Sequence, residues 1–168
     1  RISTESLAKT VVWHEYKSDW LLSFYRAADS RYVVLQSNNE STTEQKLVDL
    51  ETGTVSDSLR VPEVDVEYYA DVAKGRVYIN SNLEGTFALY QTDLAPLSAT
   101  WQRFTTPREP LDQFYLYDAG VVALSKPNNV ATLTVYSYQG QEKVILPLEQ
   151  DGNVAWLSTL GDFESNKI

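Results

Sequence analysis

Acyl transfer by a serine needs a nucleophile, an imidazole base and a carboxylate to orient that base. This chain offers one imidazole, His14, in the run Trp13-His14-Glu15-Tyr16. No glycines of an oxyanion loop stand near it, and none of the 7 Gly residues forms the G-x-S-x-G elbow that presents a serine. His14 therefore reads as a strand or connector histidine with one satisfied nitrogen. Glu63, Asp65 and Glu67 alternate, so a strand there would project all three carboxylates to one side. Such a row could hold a cation or attract a basic peptide, although a solvated edge or outer face is the plainer reading. Asp49 and Asp93 are expected to hydrogen-bond their own turns. One His and scattered acids do not make a metal-ligand set. Trp13, Trp20, Trp101 and Trp156 read as packing between sheets and not as a ligand box. Asn39-Glu40-Ser41 fits the glycosylation sequon, a short pattern that often occurs by chance. The sequence thus nominates no catalytic, cofactor-binding or metal-binding residue.

The elements that would carry these side chains repeat. Tyr32-Val33-Val34-Leu35-Gln36-Ser37 is followed by Arg76-Val77-Tyr78-Ile79-Asn80-Ser81 and by Gly120-Val121-Val122-Ala123-Leu124-Ser125, each run 44 residues after the last. Lys46–Leu50, Tyr90–Leu94 and Thr134–Tyr138 keep the same register. Short apolar runs bounded by turns are the pattern of strands buried on both faces. Asp29-Ser30, Lys74-Gly75 and Asp118-Ala119-Gly120 supply hairpin turns between the first and second strands of each unit. Leu50-Glu51-Thr52-Gly53 and Tyr138-Gln139-Gly140-Gln141 do so after the third. A shorter fourth strand is expected at Ser58–Val61, Trp101–Thr105 and Glu142–Leu146. Only Thr4–Lys9 could form a helical turn.

Four antiparallel strands in about 40–45 residues is the blade period of a propeller. The fold class is therefore all-β: a partial β-propeller of about three and a half four-stranded blades with a 44-residue period. The blades fall at approximately 19–61, 64–105 and 111–147, with the start of another at 154–168. Residues 1–18 are a connection or the end of a preceding blade. A β-sandwich, the other architecture of short strands and regular turns, does not account for the strict register. Because propellers close with roughly four to eight blades, the ring is expected to be completed by chain outside this segment. A partial ring would leave blade faces exposed to self-association.

Composition narrows the partners. With 23 acidic and 14 basic residues the formal charge is −9, which repels a phosphate backbone and argues against nucleic acid. No run of about 18 apolar residues is present to cross a membrane. Without Cys there is neither a disulfide framework nor a thiolate metal site. The compartment stays open, with the cytoplasm favoured over the periplasm for the parent protein.

Ser30-Arg31-Tyr32-Val33-Val34-Leu35, continuing through Ser37, Thr42, Glu44 and Leu47 to Asp49, resembles the propeller of oligopeptidase B, a member of the prolyl oligopeptidase family of serine peptidases. The next unit matches at Val66-Glu67-Tyr68, Arg76–Ile79, Asn82 and Phe87–Leu89, and the third at Leu111-Asp112 and Val121–Ser125. Gly161-Asp162-Phe163-Glu164-Ser165 is similar to the stretch just before the family chain leaves its propeller. Lys46 stands where the family usually has Arg, and Val72-Ala73 where it often has a His pair. The resemblance implies a two-domain enzyme in which an α/β-hydrolase domain carries Ser, Asp and His. The propeller covers the active-site entrance and admits short peptides, with cleavage after Lys or Arg. This segment would then be a non-catalytic, gating part, inactive alone and needing no cofactor. The alternatives are a stand-alone propeller that binds a protein or peptide, and a propeller-housed glycosidase or lyase with paired carboxylates at its channel.

Overall fold

A computed structural model describes residues 9–95, 97, 100–104, 110–148, 155–158 and 163–164. The strands are β1 (Leu21–Arg26), β2 (Tyr32–Asn38), β3 (Thr43–Asp49), β4 (Tyr68–Ala73), β5 (Arg76–Ser81), β6 (Ala88–Asp93), β7 (Gln102–Arg103), β8 (Leu111–Tyr117), β9 (Gly120–Ser125), β10 (Thr132–Tyr136) and β11 (Glu142–Pro147). They form three antiparallel sheets in sequence order, β1-β2-β3, β4-β5-β6-β7 and β8-β9-β10-β11. The architecture is all-β, with each sheet a blade of a partial propeller. Most of Thr4–Lys9 and of 154–168 lies outside the described residues, and Ala155–Ser158 adds no strand.

The turns follow the chemistry expected of them. Lys74 and Gly75 both take positive φ, 52° and 73°, the pattern of a two-residue hairpin turn matched to right-handed strand twist. At Gly120 a Cβ would lie 2.1 Å from the Tyr136 carbonyl oxygen, so only glycine lets β9 approach the end of β10.

Outer strands depart from the repeat. The first blade has three strands, because the segment after β3 pairs irregularly. Ser56 N donates to Leu47 O, Leu59 N to Gln45 O, and the Ser56 hydroxyl accepts from Leu47 N. Three residues on that side thus span two on β3, a bulge that breaks the ladder and leaves a lone bridge, Val48 to Val55. β7 is only two residues long, with Phe104 N still donating to Leu89 O beyond it. The third blade has its full fourth strand.

Two buried seams join the blades. Val34 and Leu47 of the first pack against Tyr68, Ala70, Val72, Val77 and Ile79 of the second. Tyr78, Leu89 and Phe104 of the second pack against Leu111, Leu116, Val121, Ala123 and Tyr136 of the third. Tyr78 meets Phe104 edge-on at 5.6 Å, and Phe104 meets Tyr136 edge-on at 6.1 Å. Positions 77, 79, 121 and 123 are each 0–4% exposed because a preceding blade covers them. In the first blade the equivalent face is open: Phe24 is 77% and Leu22 50% exposed. The connector before β1 covers part of that face. Lys46 Nζ lies 4.8 Å from the Trp13 ring centroid, and the Ser37 hydroxyl donates to Glu15.

Candidate functional site

The inner strands β1, β4 and β8 border a cleft of about 1260 Å³. Tyr25 and Arg26 of β1, Tyr69 and Asp71 of β4, Asn80 of β5 and Asp112–Tyr117 of β8 line it, with Phe163 and Glu164 at one side.

β4 is the inner edge of its sheet, so alternate backbone groups face away from β5 and need partners elsewhere. The first blade provides them. Tyr25 Oη donates to Ala70 O at 2.6 Å, Ala70 N donates to Gln45 Oε1 at 2.9 Å, and Asp29 N donates to Val72 O at 2.8 Å. Gln45, wholly buried, also donates to Gln36 Oε1 at 2.6 Å and to Tyr25 Oη at 3.2 Å. Its backbone N donates to Tyr68 Oη at 2.8 Å. Burial pushes the Tyr25 hydroxyl pKa upward, with the Asp71 charge adding to it.

Asp71 is the chemically notable group. Its Oδ1 accepts from Ala28 N at 2.7 Å and Val72 N at 2.8 Å. Burial nevertheless pushes its carboxyl up to about 6, against the pull of those two hydrogen bonds and with some help from the Asp29 charge. The other acids near it are spoken for: Asp112 pairs with Lys126 at 2.6 Å, and Asp118 pairs with Lys74.

The residues singled out by sequence fall elsewhere. His14 is exposed and stacks on Tyr16 at 4.3 Å. Glu63, Asp65 and Glu67 do not share a strand. Val66 N donates to Glu63 O across a turn whose Asp65 has φ 64°, and Glu63 pairs with Arg60 at 2.8 Å. Asp49 does cap its own turn, accepting from Glu51 N at 2.9 Å, while the Arg31 guanidinium holds its carboxyl down at about 2. Asp93 instead faces Arg76 Nε at 3.4 Å. Of the tryptophans, Trp101 packs on the first seam, Trp20 takes Lys17 over its ring at 3.4 Å, and Trp156 is 74% exposed. Asn39 of the sequon turns its side chain inward to accept from Ser41 N and Thr42 N. Val72 and Ala73 are wholly buried. Among the described residues no group of three or more His, Asp or Glu side chains is placed to hold a metal ion. No described helix is long and apolar enough to cross a membrane.

Asp71 escaped notice because its partner Ala28 is 43 residues away. The available signal was a carboxylate inside Tyr68-Tyr69-Ala70-Asp71-Val72-Ala73, a strand otherwise apolar or aromatic.

No family model and no curated protein matches the chain. Solved structures do. Oligopeptidase B from Leishmania major superposes with a TM-score of 0.71 at 15% identity, over 83% of this chain and 22% of that one. Prolyl oligopeptidase B from Galerina marginata gives 0.70 at 19% identity, over 87% of this chain and 22% of that one. Oligopeptidase B from Trypanosoma brucei, with covalently bound antipain in a closed form, gives 0.66 at 14% identity, over 85% and 22%. The chain thus spans about 22% of the length of the structures it matches. At these identities the likeness speaks to architecture: this chain has the fold of the propeller part of the oligopeptidase B and prolyl oligopeptidase structures.

Proposed function

We propose that this chain is the non-catalytic propeller part of a serine-type oligopeptidase, gating access of short peptides to a hydrolase domain encoded in the same parent chain. The superposition on oligopeptidase B over 83% of this chain and 22% of that one carries this reading. An acidic, aromatic-lined cleft on the inner strands suits a surface that basic peptides pass, and cleavage after Lys or Arg fits a charge of −9 that favours cationic substrates. The gate acts by excluding bulk, so selection falls on substrate size before any chemistry.

The test lies in the longer coding sequence and in activity. The parent sequence should continue into alternating strands and helices with a G-x-S-x-G elbow, then Asp and His. A parent that ends after one or two more blades, with no hydrolase segment, returns the chain to the stand-alone binding modules. The purified 168-residue chain is expected to show no turnover of a Lys or Arg ester that the parent cleaves. Measurable hydrolysis by it alone would overturn the assignment of chemistry to another domain.

A further inference from the structure

The repeat lets one seam be read against the other. In the first seam Gln36, Gln45, Tyr25 and Ala70 close a hydrogen-bonded circuit. The residues 44 positions on are Asn80, Leu89, Tyr69 and Phe114. Leu89 carries neither donor nor acceptor, so the circuit cannot form in the second seam. Asn80 is 4% exposed, and its Nδ2 donates to Asp112 O at 3.3 Å. Its Oδ1 has no hydrogen-bond partner. Tyr69 is 46% exposed, whereas its counterpart Tyr25 reaches across to a backbone carbonyl.

One further position differs. Asp71 stands where the first blade has Ala27 and the third Tyr115. Its Oδ1 is occupied by two backbone donors, and among the described residues no donor is seen at Oδ2. Asp71 pairs with Tyr78 across the ladder and Asn80 with Tyr69, so Asp71 and Asn80 are diagonal neighbours on one face of the blade, about 7 Å apart. Both line the cleft, and so does Tyr69. None of the cations among the described residues serves them. Lys74 pairs with Asp118 and Lys126 with Asp112. Arg26 of β1 also lines the cleft, but it is exposed and makes no ion pair with Asp71 among the described residues. Asn80 Oδ1 is buried without a donor, which is costly, and Asp71, only partly exposed, lines the same cleft, so a cationic donor satisfies both.

We propose that this cleft binds the guanidinium or ammonium side chain of a peptide lying along the inner strands. Asp71 Oδ2 takes the charge-assisted hydrogen bond, Asn80 Oδ1 accepts a second, and the Tyr69 ring flanks the cation. The assignment rests on the reading that peptides pass this face.

The test titrates the isotope-labelled 168-residue chain with acetyl-Gly-Arg-Gly-amide, its lysine counterpart and its citrulline counterpart, following backbone amide signals at neutral pH. Citrulline keeps the shape of arginine and lacks the charge. Saturable shifts at the Ala28 and Val72 amides, which hold Asp71, are expected with the arginine and lysine peptides. Citrulline should bind at least tenfold more weakly, and so should Asp71→Asn with the arginine peptide. Asp71→Asn keeps the Oδ1 acceptor and hence the seam. Asn80→Asp, which adds a second charge, should tighten binding several-fold and provides an answer if the first variant does not fold. Equal affinity for citrulline, shifts confined to other residues, or an Asn80→Asp variant that binds no better would overturn the site. A parent lacking a hydrolase domain would leave these results standing, while a parent with one and no cation binding would sink this site alone.

Discussion

Asp71 carries two consequences at the scale of a single residue, one for binding and one for stability. Its folded-state carboxyl titrates at about 6, above the ordinary 3.8, because burial disfavours the charge. Between those values the folded chain holds a proton that the unfolded chain has released. The stabilisation is therefore complete below about pH 4 and is lost as pH rises through about 6. Tyr25 from β1, Asp29 from the β1–β2 link, Tyr78 from β5 and Tyr138 from the third blade face the group, and none supplies a positive charge. Urea unfolding from pH 4 to 7 should show the native chain losing about 2 kcal/mol relative to Asp71→Asn, a figure set below the full linkage value because the carboxyl keeps some solvent contact. Parallel curves for the two proteins would contradict it. None of this was visible in the sequence, where Asp71 is one of 23 acids and the loop that holds it is a blade away. Glu63, Asp65 and Glu67 misled for the opposite reason: alternation implies a strand only where the backbone stays extended, and Asp65 leaves that region.

At the scale of elements, the second strand of each blade was legible and the outermost only in part. Arg76–Ser81 and Gly120–Ser125 announce themselves because both faces are buried, which demands an unbroken apolar run. The first blade's fourth strand fails for a reason that no apolar pattern encodes, since the Ser56 hydroxyl takes the place of a ladder partner. Among the links that join β4 to the first blade is one buried side-chain amide, that of Gln45. Gln45→Leu, which installs the residue found 44 positions on, should cost about 2 kcal/mol by stranding the Ala70 amide and Gln36. Faster hydrogen exchange at the Ala70 amide, with other β4 amides protected, would mark the loss as local to the seam. Unchanged stability and exchange would mean that Gln45 is not what seals it.

For the molecule as a whole, the open face of the first blade matters most. Phe24 occupies the position of Tyr68, and Tyr68 is 1% exposed where a preceding blade covers it. An apolar face of this kind, with Leu22 beside it, should drive concentration-dependent association of the isolated chain. Sedimentation velocity is expected to show the weight-average size rising with concentration, and Leu22→Lys with Phe24→Lys should hold the chain monomeric. A native chain that stays monomeric at high concentration would show that the connector carrying Trp13 and Glu15 shields the face sufficiently. The 44-residue period made the three sheets readable from sequence. It did not reveal which faces the connector covers, because Glu15 and Lys46 meet their partners Ser37 and Trp13 only in three dimensions.

The sequential strand order has a kinetic corollary. Every ladder pairs chain neighbours, so each sheet can form from contacts closed over a few residues. Between blades one class of contact recurs at nearly one separation: 45 residues for Tyr25 to Ala70, 43 for Ala28 to Asp71, and 44 for Lys74 to Asp118 and Gln113 to Leu157. The entropy of closing each junction is thus nearly the same wherever it occurs. Assembly is therefore expected to start in one hairpin and advance blade by blade, which hydrogen exchange that loses protection one blade at a time would check.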